Sequence, residues 1–342
     1  MIESGRAPGV REVAAAAGVS RQTVSRVLND HPSIRPETRD RVIAAMAELN
    51  FRPNRAARML TTARSTTIGV LAASTSSLFG PASSIDAVEN AARDAGYFVT
   101  VAHTSALDRA SVEAALDHLL AQAVEGIVVI APQQRVQDAM AAVSLSVPSV
   151  TLHGAGAAGD DGVFVDQVEG ARLATRHLIE RGHRRIAHLC GPGDWAEARA
   201  RRDGFLAEVA DHADVTGLVT REGDWTAASG AEIGAELLSE RRADERVTAV
   251  FSSNDQMALG VLHAARLAGR RVPEDLAVVG FDDIPEAAFF APPLTTVRQD
   301  FPELGRRCVA RLVSLIEGGG ADGGGVAFGA PVAPVLVERA SA

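Results

Sequence analysis

The chain has 342 residues, of which 46% are hydrophobic, and a formal net charge of -9 at pH 7. This length and apolar share are enough for two or three packed domains, and they exclude a disordered chain. The sequence has no run of 18 apolar residues, and polar residues with Pro8 stand where a secretory signal would have its apolar segment. We therefore expect a globular, cytoplasmic protein without a membrane span.

Charge is distributed unevenly along the chain. Residues 1–64 contain eleven arginines and six acidic residues, a net charge of +5, which leaves -14 for the rest. A basic segment on an acidic body indicates an anionic partner for that segment. The two cysteines, Cys190 and Cys308, lie far apart and outside any CxxC or Cys/His cluster. This spacing predicts buried thiols and argues against a disulfide framework or structural zinc.

The basic segment begins with three predicted helices. Apolar residues recur at three- and four-residue spacing over 10–17, and Gly18 then supplies a turn. Ser20 is placed to cap a second helix over 21–29, and Pro36 to open a third. The apolar positions of the three helices are Val10, Val13, Ala14, Ala17, Val24, Val27, Leu28, Val42, Ile43, Met46 and Leu49. Three short helices with a glycine turn predict a helix-turn-helix module.

The second of these helices carries the chemistry of the module. Arg21 and Gln22, at its exposed N-terminal end, can make paired hydrogen bonds to base edges in the major groove. Neighbouring hydroxyls and backbone N–H groups can bind phosphates. The alternative is a solvated charged helix face, but the glycine turn, the cap and the basic charge balance together favour DNA binding.

A short polar segment, NRAARMLTTARS, follows the third helix at 54–65. It is too short and too polar to bury a face of its own, and an isolated helix of this length is marginal in water. Taken alone, it is interpreted as a flexible linker between domains.

From Thr66 onward, strand-like apolar runs alternate with helical periodicity such as that of Val88, Ala91 and Ala92. The predicted strands are TTIGVLAAS, YFVTVAH, GIVVIAP, PSVTLHG, GVFVD, RIAHLCG, AVFSSND, LAVVGFDD and TTVRQD. This alternation predicts parallel sheets covered by helices, in two lobes, and the last strand is expected to return the chain to the first lobe. Ligands of such sheets bind near the carboxyl ends of the strands, here in a cleft between the lobes.

Polar and aromatic residues stand near several of these strand ends. They are Arg201, Trp225, Asn254, Asp255, Asp282 and Asp283. An aromatic face beside fixed hydrogen-bonding groups suits a sugar, because a sugar presents an apolar ring face and a belt of hydroxyls. Two plainer interpretations stay open: Trp225 as a core residue, and Asp255 and Asp283 as caps of the turns that follow them.

Catalytic chemistry has little support in the sequence. Asp282 and Asp283 are adjacent, so on an extended segment they point to opposite sides and cannot form an acid/base pair. The serines and histidines form no nucleophile elbow, and GPG at 191–193 lacks the GxGxxG pattern of a phosphate loop. We predict no enzyme activity, no catalytic residue, no metal and no cofactor.

The runs VREVAAAAGVSRQTVSRVLN and RPETRDRVIAAMAELNFRPNRAARML resemble the DNA-binding headpiece of the lac repressor family of bacterial transcription regulators. The resemblance implies that bases are read by Arg21, Gln22 and Arg26. It implies supporting or phosphate-binding roles for Ser20, Thr23, Ser25 and Asn29. Arg35 departs from the family, which often has a capping hydroxyl at this position. A weaker cap and an extra phosphate contact both stay open there.

For the linker, the resemblance implies a helix that forms only on the operator, pairs with its twin from a second subunit and enters the minor groove. Leu60 matches the wedge residue that kinks the DNA, and Ala57 matches a neighbouring groove contact. Arg55 and Arg58 add electrostatic affinity, and Asn54 completes the predicted DNA contacts.

Residues 66–342 resemble the periplasmic-binding-protein-like core of the same family. The positions that match effector contacts are Arg201, Trp225, Asn254, Asp282 and Phe301. The segments REGDWTAASG, SNDQMALG and PPLTTVRQDF make a galactoside or related glycoside the expected effector. Ser74 and His153 complete the predicted site, and both mark departures. His153 stands where the repressor that gives the family its name has a sugar-contacting Asp, and the cleft edge at 74–81 needs one inserted residue.

Together these features predict an N-terminal all-α helix-turn-helix headpiece and an α/β, periplasmic-binding-protein-like, two-lobed core with parallel sheets. The predicted bounds are 1–52 for the headpiece, 53–65 for the hinge helix or linker, 66–165 with 295–330 for the first lobe, and 166–294 with 331–342 for the second. The implied function is that of a repressor, a homodimer on a palindromic double-stranded DNA operator. A small-molecule sugar that changes the angle between the lobes and melts the hinge helices would release it.

Two other functions stay open. A sugar-binding protein of the transport type would share the core, but it would need an export signal and no headpiece. A nucleotide-dependent enzyme would share the strand alternation, but it would need a phosphate loop. The lack of leucine heptads after VLVERASA favours a dimer over a larger oligomer. The residues leave open whether the sugar releases or promotes DNA binding, and release is favoured.

Overall fold

The computed structural model describes residues 8–28, 31–52, 59, 64–73, 79–152, 162–239, 246–318 and 330–342. The chain divides into two compact units, Met1–Ser65 and Thr66–Ala342. The predicted DNA contacts that lie outside the described residues are Asn29, Asn54, Arg55, Ala57, Arg58 and Leu60. The predicted effector contacts that lie outside them are Ser74 and His153.

Within its described residues 8–52, the first unit contains three helices around a small apolar core. Helix α1 spans Val10–Ala17, α2 spans Arg21–Leu28 and α3 spans Pro36–Glu48. Gly18 ends α1 in the left-handed conformation, with φ 64°, which glycine adopts without the steric cost that a Cβ atom brings. The predicted helix-turn-helix module is confirmed.

The sequence predictions include the N-terminal caps of α2 and α3. Ser20 caps α2, because its Oγ accepts a hydrogen bond from the Thr23 N–H at 3.0 Å. Arg35 precedes α3 and makes no side-chain cap bond, so the weaker cap is the interpretation that the structure supports. The core that these helices share consists of Val13, Ala14, Ala17, Val24, Val27, Val42 and Ala45.

The first lobe of the second unit is built on a four-stranded parallel sheet in the order β2-β1-β3-β4. Its elements are β1 Thr67–Ala72, α4 Phe79–Asp94, β2 Phe98–His103, α5 Arg109–Leu120, β3 Gly126–Ile130, α6 Gln134–Ala141 and β4 Ser149–Leu152. Every residue of β1 and β3 is buried, as expected for central strands of a parallel sheet covered on both faces.

The second lobe is built on a six-stranded sheet in the order β10-β9-β8-β7-β5-β6, in which β10 alone runs antiparallel to its neighbour. Its elements are α7 Gln167–Glu180, β5 Arg185–Leu189, α8 Ala196–Ala210, β6 Thr216–Val219, α9 Ala227–Leu238, β7 Ala249–Ser252, α10 Asp255–Leu267, β8 Ala277–Asp282, a 3-10 turn Pro285–Phe289, β9 Thr295–Arg298 and β10 Val335–Val337. Helix α11, Phe301–Ile316, follows β9 but packs Leu304, Cys308 and Leu312 into the core of the first lobe.

The chain passes between the lobes at three crossings, 163–167, 298–301 and 332–335. In the first, Val163 forms a single bridge with Leu152 of the first sheet. The first and third crossings are bonded to each other through Val332, whose N–H donates to the Phe164 carbonyl at 2.8 Å and whose carbonyl accepts from Asp166 N–H at 3.0 Å. A change of lobe angle has to be absorbed in these segments, because they are the covalent connections between the lobes.

Two strand predictions differ from the structure, and two strands were not predicted. The run GVFVD is predicted as a strand, but it forms only single bridges because it crosses from one sheet to the other. Strand β9 is expected in the first lobe, but it pairs with β8 and β10 in the second sheet, and α11 makes the return one step later. Strands β6 and β10 are missed because both are short, lie at sheet edges and are partly exposed.

Cys190 and Cys308 are free, buried thiols, as predicted. Burial raises the pKa of Cys190 to about 11, so this thiol is not activated as a nucleophile. Of the helices that the structure describes, none has the length and apolar character needed to cross a bilayer.

Candidate functional site

The first candidate site is the exposed side of α2. Arg21, Gln22 and Arg26 are exposed, whereas Val24 and Val27 are buried against the other helices. The first turn is fixed by Ser20, whose Oγ also lies 2.9 Å from the Thr23 Oγ1. Two guanidinium groups and an amide therefore project from one short, firmly capped helix, an arrangement that suits insertion into a major groove.

The second candidate site is a cavity between the two lobes of the second unit. It lies beyond the carboxyl ends of strands from both sheets, where ligands of parallel sheets bind. Its lining residues are Phe79, Gly80, Pro81, Pro132, Trp195, Glu197, Arg201, Trp225, Asn254, Asp282 and Gln299.

The lobes meet at one rim of this cavity. The Gln134 N–H donates to the Asp194 carbonyl at 2.9 Å, and the Arg135 Nε lies 2.6 Å from the Asp194 Oδ2. Beside them, the Ala196 N–H donates to the Pro132 carbonyl at 3.0 Å. Hydrogen bonds between the lobes thus flank two of the lining residues, Pro132 and Trp195, and the cavity is closed on this side.

Arg201 is the central cation of the cavity and is only 4% exposed. Its Nε donates to the Gln167 Oε1 at 2.9 Å, its Nη1 donates to the Ser253 carbonyl, and its Nη2 lies 3.6 Å from the Asp282 Oδ1. Burial lowers the pKa of the guanidinium, and the charge of Asp282 opposes that effect. The guanidinium also lies 3.8 Å from the ring centroid of Phe281, a cation–π contact. A fixed cation with a carboxylate beside it can bind adjacent sugar hydroxyls.

Asp282 ends β8 with φ 111°, a backbone conformation that side chains rarely adopt. Its Oδ1 accepts a hydrogen bond from the Gln299 Nε2 at 2.7 Å. Asp283 makes ion pairs with Arg298 and Arg339, each at 2.6 Å. The two adjacent carboxylates thus engage different partners, which agrees with the expectation that they form no acid/base pair.

Asp255 holds the loop that follows Asp282. Its Oδ2 accepts from the Ile284 N–H at 2.9 Å and its Oδ1 from the Thr296 hydroxyl at 2.6 Å. Burial, and next the charge of Asp282, raise the pKa of Asp255 well above its ordinary value. The residue is a buried anchor for the loop. The interpretation of Asp255 as the cap of α10 is wrong, because Asn254 occupies that position.

Asn254 has most of its hydrogen-bonding capacity in use. Its Oδ1 caps α10 by accepting from the Met257 N–H at 2.9 Å, and its Nδ2 donates to the Trp225 carbonyl at 3.0 Å and to the Gln256 Oε1 at 2.9 Å. Asn254 therefore fixes Trp225, whose φ is 72°, as well as lining the cavity. One acceptor lone pair of its Oδ1 stays available to a ligand.

Trp225 is 6% exposed and belongs both to the core of the second lobe and to the cavity wall. The two interpretations from the sequence are thus compatible. Its ring packs edge-on against Trp195, with centroids 5.4 Å apart. The Trp225 Nε1 has no hydrogen-bond partner among the residues that the structure describes, so it is a candidate donor to a ligand.

The structure brings four of the predicted effector residues together, namely Arg201, Trp225, Asn254 and Asp282. Phe301 is set one layer back, where its ring packs edge-on against the lining residue Phe79 at 5.8 Å. The lining side chains that the sequence analysis missed are Phe79, Pro81, Pro132, Trp195, Glu197 and Gln299. Gln299 and Trp195 also follow strand ends, and this signal could have identified them.

Comparison with known proteins finds a family match in each of the two units. The profile described as bacterial regulatory proteins, lacI family, matches residues 10–54, and the periplasmic binding protein-like domain matches residues 175–342. The lactose operon repressor of Escherichia coli (strain K12) is 39% identical over 312 residues, which are 90% of this chain and 84% of that protein. The crystal structure of the lac repressor dimer bound to operator and the anti-inducer ONPF has a TM-score of 0.81 at 35% identity, over 98% of this chain and 99% of that one.

A second solved structure is the complex of the transcriptional regulator CelR with cellobiose. It has a TM-score of 0.68 at 31% identity, and the match covers 98% of this chain and 100% of that chain. The fold and the two sites define a DNA-binding transcription regulator with a ligand-sensing core. The chain belongs to the lacI family of bacterial regulatory proteins.

Proposed function

We propose that this regulator is a repressor that leaves its operator when a glycoside binds between the lobes of its core. The cavity is the observation that carries the proposal. It combines the aromatic rings of Trp195 and Trp225 with the fixed polar groups of Arg201 and Asp282. Aromatic faces suit the apolar side of a pyranose ring, and the guanidinium and carboxylate suit its hydroxyls.

The proposed effector is a galactoside or a related glycoside. Similarity to the lactose operon repressor and to a regulator solved with cellobiose supports a glycoside as the class. The sugar has to bind the two lobe angles with different affinity, because equal affinity would shift no equilibrium. We propose no turnover of the sugar and no enzyme activity.

On DNA, we propose that α2 enters the major groove, where Arg21, Gln22 and Arg26 read bases. Ser20, Thr23 and Ser25 hold the helix or bind phosphate. The proposed headpiece ends at 52, and 53–65 forms the hinge, with Leu60 as the minor-groove wedge. The remaining hinge contacts proposed are Asn54, Arg55, Ala57 and Arg58, and Asn29 completes the major-groove set.

The proposed assembly is a homodimer in the cytoplasm, with one headpiece on each half of a palindromic operator. Similarity to the lac repressor dimer bound to operator supports this assembly. Apolar side chains that are exposed on the single chain also support it, since Phe289 is 87% and Leu259 40% exposed.

Fluorescence anisotropy on a labelled palindromic operator, at one fixed salt concentration, tests this function. Binding is measured without sugar and with a panel of β-galactosides and β-glucosides that includes lactose and cellobiose. We expect tight binding to the palindrome, weak binding to a scrambled duplex, and loss of operator binding with at least one sugar. Sugar binding without sequence-preferring DNA binding would overturn the repressor and leave a sugar-binding protein of another kind.

The variant Gln22→Ala sharpens the test of the headpiece. We expect it to lose about tenfold or more in preference for the palindrome over the scrambled duplex, because a paired contact to a base edge is lost. Its control is Gln137→Met in the core, which should leave DNA binding unchanged. Equal preference in Gln22→Ala and the parent protein would remove Gln22 from the base-reading set.

A further inference from the structure

Two buried glutamines lie at the crossings between the lobes. Gln167 is the last residue of the first crossing and the first residue of α7, and Gln299 lies in the second crossing between β9 and α11. The Gln167 Nε2 donates to the Gln299 Oε1 at 2.8 Å, and the two residues are 8% and 5% exposed. Side chains that are 132 positions apart thus bond the first crossing to the second.

The same two glutamines hold the charged groups of the cavity. The Gln167 Oε1 accepts from Arg201 at 2.9 Å, and the Gln299 Nε2 donates to Asp282 at 2.7 Å. The Arg201 Nη2 lies 3.6 Å from the Asp282 Oδ1, so the contacts among the four side chains form a closed ring. We call these four side chains, Arg201, Gln167, Gln299 and Asp282, the crossover ring.

A sugar bound in the cavity competes for atoms of this ring. A hydroxyl that accepts from Arg201 or donates to Asp282 engages groups that are already bonded to Gln167 and Gln299. Because both glutamines lie in or beside crossings, any rearrangement of their bonds acts on the segments that absorb a change of lobe angle. Gln167 does not line the cavity, so its effect on a ligand has to pass through Arg201 or Gln299.

We propose that Gln167 is a positioning residue that couples effector binding to the angle between the lobes. The inference rests on the proposed function, since it needs a sugar that changes operator affinity. Through its two hydrogen bonds the Gln167 amide ties Arg201 to Gln299 and so favours one lobe angle. Occupation of Arg201 and Asp282 by hydroxyls weakens that tie and shifts the equilibrium between the two lobe angles.

The variant Gln167→Met tests the coupling, because methionine has a similar length and can make neither hydrogen bond. Operator affinity is measured by anisotropy with and without a saturating concentration of the sugar that binds best in the panel above. Sugar affinity is measured by calorimetry. We expect the factor by which the sugar changes operator affinity to fall about tenfold, while sugar affinity of the DNA-free protein stays within about threefold. A purely structural role would lower thermal stability without uncoupling the two sites.

The matched control is Gln137→Met, which removes a hydrogen bond to the Ala131 carbonyl at 2.9 Å in the first lobe. We expect it to keep the full sugar response. An unchanged response in Gln167→Met would overturn the proposal, and so would a loss of sugar affinity as large as the loss of response. A parent protein whose operator binding no sugar changes would overturn the proposed function itself, and that result appears before any variant is made.

A second variant separates the two bonds of Gln167 and decides the question if Gln167→Met fails to fold. Gln167→Glu keeps an acceptor for Arg201 but removes the donor to Gln299. We expect this variant to bind the sugar and to lose the response of the operator complex. A retained response would overturn the assigned role of the Gln167–Gln299 bond.

Discussion

The two lobes contribute different chemistry to one cavity. Among the described residues, the first lobe supplies an aromatic ring and two prolines, from Phe79, Pro81 and Pro132. The second lobe supplies the charged pair of Arg201 and Asp282, together with amides and tryptophans. The difference indicates that the second lobe recognises a polar ligand and that the first lobe covers this ligand with an apolar surface.

The contrast extends below the surface of the cavity. The ionisable side chains that the second lobe buries near the site include Arg201, His188 and Asp255. Each is held by hydrogen bonds that were formed at the expense of solvation. Substitutions that remove a charge, and changes of pH, should therefore act mainly through the second lobe. Substitutions that change the size of a side chain in the first lobe should have smaller effects on stability and sugar affinity.

Arg201→Ala is expected to have the largest effect, because it leaves the buried carboxylate of Asp282 and the Gln167 carbonyl without their cation. Removal of one partner of a buried charge pair costs about 3–5 kcal/mol, so urea unfolding of the core should show a loss of that order. Sugar affinity should fall by about a hundredfold or more. Calorimetry measures the second effect.

The control for this substitution is Arg202→Ala. Arg202 is the neighbouring arginine; its side chain is 41% exposed and pairs with Asp203 at 3.1 Å. We expect Arg202→Ala to change neither stability nor sugar affinity appreciably. Unchanged sugar affinity in Arg201→Ala would contradict the assignment of ligand recognition to the second lobe.

A smaller effect is expected at acid pH through His188. Its ring stacks between Phe205 and Phe251, with centroids 5.2 and 4.7 Å away, and burial lowers its pKa from 6.5 to about 3. Since the folded protein keeps this imidazole neutral while the unfolded chain protonates it, its contribution to stability is complete above pH 6.5. It is lost as the pH falls from 6.5 towards 3, by up to about 1.4 kcal/mol per pH unit.

Urea unfolding of the parent protein and of His188→Phe between pH 7 and pH 4.5 checks this expectation. The parent should lose stability relative to the variant as the pH falls. Asp255 contributes with the opposite sign: its raised pKa gives stability that is complete below about 3.8 and lost as the pH rises through its folded pKa. Its contribution is common to both proteins and cancels in the difference. Parallel pH profiles would show that His188 is not the neutral buried group described here.

The smallest effect is expected in the first lobe. Phe79 packs edge-on against Phe301 and contacts the apolar cores of both lobes. Phe79→Ala should lower sugar affinity about fivefold to tenfold, because an aromatic contact beyond simple burial is worth about 0.5–1.5 kcal/mol. Phe98→Ala, which removes a 54% exposed ring on β2, should have no effect on sugar affinity. A hundredfold loss in Phe79→Ala would mean that both lobes recognise the ligand equally.

Much of the fold follows from local patterns. Gly18, Ser20 and Pro36 mark the helix ends of the headpiece because turn, cap and first-turn preferences depend on neighbouring residues only. The central strands follow in the same way, since burial on both faces leaves continuous apolar runs. Edge strands such as β6 lack that signature, because one of their sides is exposed.

The candidate site was predictable in part. Asn254 and Asp282 were found because they stand at strand ends, and parallel strands bring their carboxyl ends to one edge. Arg201 lies within α8 and Trp225 follows the missed strand β6, so the family resemblance was the signal for these two. Glu197 was missed because a carboxylate within a helical pattern resembles a solvated one, and Pro132 because an apolar loop residue carries no chemical signal. Phe301 was expected in the cavity, and the structure places Phe79 in front of it.

Local sequence patterns are enough to predict the helix-turn-helix module, the alternation of strands and helices and the residue types available for a sugar. They do not predict that β9 joins the second sheet, that Asn254 and not Asp255 caps α10, or that Gln167 bonds to Gln299. The difference follows from the range of the interactions. Periodicity and capping act within a few residues, whereas strand order and a hydrogen bond between residues 132 positions apart depend on how the whole core packs.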